Sequence, residues 1–359
     1  MNELREKLKK KIFSLCALPT VSGFETRATD ALRDMFSADF DEIRVDAVGN
    51  HLLIKRGGRE GAPLALVDTH LDEIGMMVTD VCEGGFLKFT SIGGLSLAVL
   101  QGADVVIYGH ETLRGVVTST PPHLRSDDGD KLTDIDGLAI DTGYSRAELE
   151  RLVPIGTPVG FAPRYAELLG GRIAGKSFDN KACAAIAAAA IADADRASLA
   201  CDVALLFSSV EETSRVGGAA VAAFALYPDY AMVIDVNLAR IPDAPKYETV
   251  PLGEGVSLSI ASCTDRALTE AVASICDGEN IAYSPIAAPS STGTNAPSVN
   301  LAGAGIPVVD IGLPLKNMHT YNEVVSLDDA CSLYSLVGRF ITSEKLADGF
   351  RRRGEELPI

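Results

Sequence analysis

The run Val203-Ala204-Leu205-Leu206-Phe207-Ser208-Ser209-Val210, entered at Asp202 and halted by Glu211 and Glu212, constrains this chain more than any other stretch. An apolar segment of this length, followed by the Gly217-Gly218 break, predicts a strand covered on both faces, as in a parallel sheet. In open α/β sheets, ligands bind beyond the carboxyl ends of the strands. Two carboxylates at such an end are either a return of the chain to solvent or one edge of a site. The ends of the other strands decide between these readings.

Three further segments end in the same manner. Leu64-Ala65-Leu66-Val67 runs into Asp68-Thr69-His70-Leu71-Asp72, where His70 and Asp72 share a face of extended backbone. Tyr230-Ala231-Met232-Val233-Ile234-Asp235-Val236 carries an aspartate, costly to bury unless it is paired or coordinated. Residues 306–314 predict a last strand, with His319 shortly beyond it. Gly175-Lys176-Ser177-Phe178-Asp179-Asn180-Lys181 opens an alanine-rich run that favours a helix, so Asp179 and Asn180 stand at a helix entrance. An N-cap is the competing reading for that pair.

Around these strands, helical periodicity predicts amphipathic helices over about residues 4–15, 25–36, 268–276 and 328–345, with a helix starting at Gly217. Residues 43–46 and 52–55 flank Ala47-Val48-Gly49-Asn50 as a hairpin. Between about Met76 and Arg164 the texture changes to short β-rich pieces punctuated by Gly, Pro and Asp, with little helical periodicity. The expected fold class is therefore α/β: a mainly parallel-sheet catalytic domain, residues 1–75 plus 165–359, carrying an inserted β-barrel-like domain, residues 76–164. Within the insertion, Ser126-Asp127-Asp128-Gly129-Asp130 reads as an exposed loop without EF-hand spacing.

A net charge of −17 argues against nucleic acid and anionic membrane surfaces as partners, since both are bound through Lys and Arg clusters. No stretch approaches the roughly 18 apolar residues of a membrane span. The charged start Met1-Asn2-Glu3-Leu4-Arg5 lacks an apolar signal core, and a cytoplasmic location is expected. The seven cysteines have no C-x-x-C spacing and indicate neither a disulfide framework nor a thiolate zinc site.

Beyond strand ends or at a helix entrance on one sheet edge come His70, Asp179, Glu212, Asp235 and His319. Two imidazoles and three carboxylates suit Zn²⁺, Co²⁺ or Mn²⁺, and five protein ligands exceed what one catalytic ion usually takes. Two divalent ions sharing a carboxylate, about 3.5–4 Å apart, fit the count and can polarise a carbonyl together. Glu211 then stays off the metals as a general base, and Asp72 orients His70 from behind.

Asp68-Thr69-His70-Leu71-Asp72-Glu73-Ile74-Gly75, Lys176-Ser177-Phe178-Asp179-Asn180-Lys181, Val210-Glu211-Glu212, Ile234-Asp235-Val236 and Met318-His319-Thr320 with Glu323-Val324-Val325 resemble, in order, the motifs of the M42 metallo-aminopeptidases. The resemblance runs from about Leu15 to Asp328 and includes Leu18-Pro19-Thr20-Val21-Ser22-Gly23 and Pro121-Pro122-His123-Leu124. It implies a dinuclear zinc or cobalt exopeptidase acting on short peptides. It further implies that Asp179 bridges and is followed by a cis peptide, that His70 and Asp235 complete one metal, that Glu212 and His319 complete the other, and that Glu211 is the base. It also implies a homo-oligomer, in such families a dodecamer, assembled through the inserted β domain.

Two departures stand out. Asn180 occupies a position where many relatives have Asp, and Thr292-Gly293-Thr294-Asn295-Ala296-Pro297 replaces a Gly-Thr-Asp-Ala-Gly pattern. The Asn295 change removes a carboxylate expected near the substrate's α-amino group. His51, His110 and His123 fall at no strand end of the catalytic sheet and read as structural or surface residues. Competing functions are a deacylase or dipeptidase with the same metals, or a non-catalytic shell protein. The endoglucanase label of some relatives needs two carboxyls facing each other about 5–9.5 Å apart, whereas adjacent glutamates on a strand end diverge. Side-chain preference is not legible at this level.

Overall fold

Leu8, Ile12 and Leu15 recur at helical spacing and lie fully buried on one face of α1 (Asn2–Cys16). The computed structural model describes residues 2–121, 134–213, 217–289 and 291–351. The second expected helix is split: Glu25–Ala28 is a 3₁₀ turn that runs into α2 (Thr29–Phe36). The hairpin forms as expected from β1 (Glu42–Val45) and β2 (His51–Lys55), followed by β3 (Leu64–His70).

The inserted segment closes into an antiparallel barrel. Its strands are β4 (Gly75–Cys82), β5 (Phe86–Ile92), β6 (Asp104–Tyr108), β7 (Thr112–Ser119), β8 (Leu138–Asp141) and β9 (Pro158–Phe161), in the order β4-β5-β8-β7-β6-β9. Apolar residues such as Val78, Leu87, Val105, Ile107 and Val159 fill it. One helix was not expected there, α3 (Arg146–Leu152); its signal is the capping box in which the Ser145 side chain and Glu148 satisfy each other's backbone amides. The acidic loop 126–130 and His123 lie outside the described residues.

The chain then returns through β10 (Tyr165–Leu168), β11 (Arg172–Gly175), α4 (Phe178–Asp193), β12 (Asp202–Ser208), α5 (Gly218–Leu226), β13 (Tyr230–Leu238) and β14 (Val256–Ala261). It ends with α6 (Arg266–Glu279), β15 (Tyr283–Ala288), α7 (Ala296–Asn300), β16 (Val308–Lys316), β17 (Glu323–Ser326), α8 (Leu327–Thr342) and α9 (Glu344–Phe350). The long closing helix expected at 328–345 breaks at Ser343, whose hydroxyl caps α9.

The large sheet has the order β1-β2-β12-β3-β13-β16-β17-β11-β10, with β14 paired to β16 and β15. Its centre, β12-β3-β13-β16, is parallel, while the flanking pairs β2-β12, β16-β17 and β17-β11 are antiparallel. The parallel register sets the strand ends side by side: His70 lies opposite Ser208, and Val233 opposite Asp68, which brings Asp235 level with His70.

Helices cover both faces. From Phe178 to Ile191 every α4 side chain is buried, as befits a helix apolar all round; its alanines let α1, α8 and the sheet approach closely. On the other face, Ala219, Ala222 and Ala223 of α5 and Ala296 and Val299 of α7 cover Leu66, Leu206 and Val233. His51 is a buried core residue whose Nε2 lies 2.8 Å from Thr29 Oγ1, and burial pulls it down to about 4. The cysteines are all free. No helix among the described residues is long and apolar enough to cross a membrane.

Candidate metal centre

The strand that was expected to end at Glu211 and Glu212 ends earlier, at Ser208. The next four amides have left the sheet and must find other acceptors. Ser209 N donates to Asn50 Oδ1 at 2.9 Å and Val210 N to Glu25 Oε1 at 2.9 Å. Glu211 N and Glu212 N donate to Asp72 Oδ1 and Oδ2 at 3.1 and 3.0 Å. Asn50, Glu25 and Asp72 are all buried. Their grip imposes a φ of +51° on Val210, a left-handed conformation that a β-branched residue does not adopt on its own. The glutamates therefore leave the strand's alternation and occupy one tight turn.

His70 is held from behind. Its Nδ1 lies 3.1 Å from the backbone oxygen of Asp72 and 3.5 Å from the Asp72 carboxylate, which puts the ring proton on Nδ1. Its Nε2 faces Asp179 Oδ1 at 3.1 Å and Asp235 Oδ1 at 3.5 Å. His319 approaches from the opposite side, with Nε2 3.6 Å from Asp179 Oδ2 and 3.3 Å from Glu212 Oε2. Asp179 thus offers one oxygen to each imidazole. One ligand atom each from His70, Asp179 and Glu212 lie within 4.8 Å of one another.

The electrostatics of this cluster are those of acids crowded together in a buried site. Burial pushes Glu211 up to about 8 and Glu212 up to about 7, with Asp235 adding for the first and Asp179 for the second. Burial likewise raises Asp235. The bond to Glu212 carries His319 up to about 9. Burial opposes charge on His70, but Asp235, Asp179 and Asp72 outweigh it and raise the ring well above its ordinary range. Glu212 Oε1 is buried without a hydrogen-bond partner among the described residues. A divalent ion fits this donor set: it neutralises the carboxylates and uses the orphaned oxygen.

Several residues that hold the cluster were given no role from the sequence. Glu323 is buried on β17 and accepts from Asp179 N at 3.1 Å through Oε2 and from His319 N at 3.2 Å through Oε1. Gly94, in the loop after β5 of the barrel, accepts the His319 Nδ1 proton on its carbonyl at 3.1 Å. A Cβ on Gly94 would lie 2.7 Å from that Nδ1, so the inserted barrel supplies a surface that only glycine allows. Asp179 does not act as an N-cap: Ser177 holds that position, and Asp179 and Asn180 have non-helical backbone joined by a cis peptide. Asn180 Nδ2 donates to Ile234 O at 2.8 Å and ties the bend to β13.

A cleft of about 680 Å³ opens beside Glu211 and Glu212, with Ser291, Gly293, Thr294 and Asn295 on its far wall. Asn295 points inward. Its Nδ2 lies 3.0 Å from Asp68 Oδ2 and 3.0 Å from Ser208 Oγ. An amide suits that position, since an aspartate would set a second buried carboxylate against Asp68. A larger groove of about 760 Å³, lined in part by Leu4, Asp193 and Tyr334, lies away from these groups.

The M42 glutamyl aminopeptidase family profile matches residues 49–336. The chain belongs to this family. It is 30% identical over 351 residues to the lysyl aminopeptidase of Pyrococcus furiosus, covering 95% of this chain and 98% of the relative. Among solved structures it resembles aminopeptidase APDkam598 of the archaeon Desulfurococcus kamchatkensis at a TM-score of 0.88 and 26% identity, covering 98% and 99% of the two chains. It also resembles the TET1 peptidase of Pyrococcus horikoshii, described as assembling into a tetrahedron or a large octahedral shell, at a TM-score of 0.81 and 26% identity over 93% and 99%. Membership in the M42 family makes this protein a peptide-bond hydrolase of the aminopeptidase kind, from a family of metallopeptidases. One family name says glutamyl and one relative says lysyl, so membership leaves the preferred side chain open.

Proposed function

We propose that this M42 protein is a dinuclear metal-dependent aminopeptidase that removes N-terminal residues from short peptides. The observation that carries the reading is Asp179, whose Oδ1 and Oδ2 face His70 and His319 respectively. His70 and Asp235 would hold one divalent ion and Glu212 and His319 the other, with Asp179 as the ligand common to both. Zn²⁺ and Co²⁺ suit the ligands best, with Mn²⁺ next. Ions bound there supply a Lewis acid for the scissile carbonyl and a nucleophile at neutral pH.

The chain's own residues perform the rest. Glu211 lines the cleft and stands outside the ligand set; it takes a proton from the attacking water and passes it to the leaving amine. Asp72 has two jobs. It fixes the His70 ring, and through two amides it sets the turn that sends Glu211 and Glu212 to their separate tasks. Glu323 holds the backbones of the bridging aspartate and of His319. The chain acts in a closed homo-oligomer, supported by its likeness to the shell-forming TET1 peptidase, and the inserted barrel, residues 76–164, supplies one of its contacts.

The test is metal content and aminoacyl-anilide hydrolysis, with and without an N-acetyl group, on wild type and Glu211→Gln. The expected result is two divalent equivalents in both proteins, turnover only of the free amine, and a loss of roughly 10²–10⁴-fold in the variant. Less than one firmly bound equivalent with no rescue by added Zn²⁺ or Co²⁺ overturns the dinuclear reading, and turnover confined to the acetylated substrate overturns the aminopeptidase.

A further inference from the structure

Three motifs of the sequence meet at one buried carboxylate, that of Glu73. The residue is 1% exposed, and its Oε2 accepts from Lys176 Nζ at 2.5 Å, lies 3.2 Å from Lys181 Nζ and accepts from the Ser177 hydroxyl. Lys176 and Lys181 are themselves 1% and 0% exposed. Lys176 Nζ also reaches Ser177 Oγ at 3.2 Å, and Lys181 Nζ reaches the Leu18 carbonyl at 2.8 Å. Residues 18–23 hold the Glu73 backbone in turn: Glu73 N donates to Thr20 O, and Ser22 N donates to Glu73 O, both at 3.0 Å.

Stability alone does not account for this arrangement. Burying two ammonium groups against one carboxylate carries a large desolvation cost, and apolar residues of the same volume often match or exceed a buried ion pair in stability. What charged hydrogen bonds supply and apolar contacts do not is a fixed direction. The directions fixed here bear on Asp179, because Lys176 and Ser177 lie just before it in the chain and Lys181 just after it.

Ser177 is where the chain turns from β11 into α4, with a φ of +58°. A non-glycine residue holds that left-handed conformation where its surroundings impose it. They do so from two sides: the hydroxyl donates to Glu73, and the carbonyl accepts from Cys16 Sγ at 3.4 Å. Asp179 leaves this turn with Oδ1 toward His70 and Oδ2 toward His319. His70 stands three residues before Glu73 on the same segment, so the grip of Glu73 sets the spacing between Asp179 and one of its imidazoles.

We propose that Glu73 is a positioning residue for the metal ligand common to both ions: by gripping Lys176, Ser177 and Lys181 through one oxygen, it fixes the turn that presents Asp179 to His70 and His319. The assignment rests on the dinuclear site proposed for this chain. Loosening the grip leaves the ligand set intact and misplaces one member of it, so metal affinity and coordination geometry change together.

The experiment compares wild type with Glu73→Gln, with Ser177→Ala and with a core control, Leu336→Ala in α8, whose side chain is fully buried. Chelator competition for Zn²⁺ reads affinity, the visible spectrum of the Co²⁺-loaded protein reads coordination geometry, and denaturant unfolding of the metal-free protein reads stability. Wild type is expected to bind two equivalents. Glu73→Gln should bind them about 10–100-fold more weakly with altered Co²⁺ bands, and Ser177→Ala should shift both in the same direction by less. Leu336→Ala should lose stability yet keep the wild-type affinity and spectrum. Two equivalents in wild type with an unchanged affinity and spectrum in Glu73→Gln, or with equal losses in Leu336→Ala, overturn the positioning role and leave the dinuclear site standing. Fewer than two equivalents in wild type overturn both. Should Glu73→Gln fail to fold, Ser177→Ala decides: an unchanged affinity and spectrum overturn the role, and a shift of both that Leu336→Ala does not share supports it.

Discussion

Asp72→Asn isolates how the centre is held. The Asp72 carboxylate is fully buried, accepts the amides of Glu211 and Glu212 at 3.1 and 3.0 Å, and lies 3.5 Å from His70 Nδ1. Asparagine has nearly the same shape, so the change opens no cavity. Its single oxygen can serve only one of the two amides, and its NH₂ group then confronts the other. A hydrogen bond to a charged acceptor is worth about 1.5–3 kcal/mol, and a buried donor left unsatisfied costs about 1–3 kcal/mol. Losing one bond and the charge on the other sums to roughly 2–4 kcal/mol of folding stability. The same change weakens the hold on His70, so metal affinity should fall a further 10–100-fold. Denaturant unfolding of the metal-free protein reads the first quantity, and chelator competition for Zn²⁺ or Co²⁺ reads the second. A variant within about 0.5 kcal/mol of wild type that also keeps its metal affinity would refute the clamp.

Glu25→Ala removes the acceptor of Val210 N and should cost about 1–3 kcal/mol together with a drop in kcat at little-changed KM. Glu25→Gln keeps an oxygen for that amide and should restore most of both, and equal defects in the two variants would sink the assignment. Gly94→Ala forces the His319 ring to shift, and a 10–100-fold loss of metal affinity is expected, measured by chelator competition alongside a nearly unchanged Tm; unchanged affinity would show that the barrel loop does not set the ring. Glu73 is fully buried; burial pushes its carboxyl up, but Lys176 and Lys181 outweigh this and bring it down to about 2. A carboxyl depressed in the folded state contributes stability that is fully present above its unfolded value near 4.5 and is lost as pH falls toward about 2. Unfolding free energy measured across that window should therefore lose slope in Glu73→Gln relative to wild type, and identical slopes would place the protonation elsewhere.

The parts of the fold legible in the sequence were those whose burial is continuous. β3, β12 and β13 are covered on both faces, so their apolar runs stand out, and the same holds for the alanines of α4. The antiparallel flank on the β16 side was not legible. β10 and β17 are four residues each, too short for alternation to register, and β14 and β15 lie off the main strand order, where Ser257, Ser259 and Pro285 interrupt the apolar pattern. The helix α3 left a signal in Ser145 and Glu148 that periodicity alone did not catch.

The candidate site divides in a way that has a physical cause. Groups suited to coordinate an ion carry their chemistry in the residue type and stand at element ends, so His70, Asp179, Glu212, Asp235 and His319 could be named as candidates from type and position. The groups that aim them act on backbone instead. Glu25, Asn50 and Asp72 accept four consecutive amides, and Glu323 accepts two more from segments 140 residues apart. A backbone amide carries no residue identity, so nothing at Val210 announces that Glu25 is needed. The strand boundary illustrates the consequence. Periodicity extended β12 through Val210 because the residues are apolar, yet the strand stops at Ser208 because buried acceptors from two other segments and from Asp72 capture the next amides first. That capture converts two adjacent glutamates, which on a strand would point to opposite faces, into a pair sharing one turn: Glu212 against His319 and Glu211 on the cleft wall.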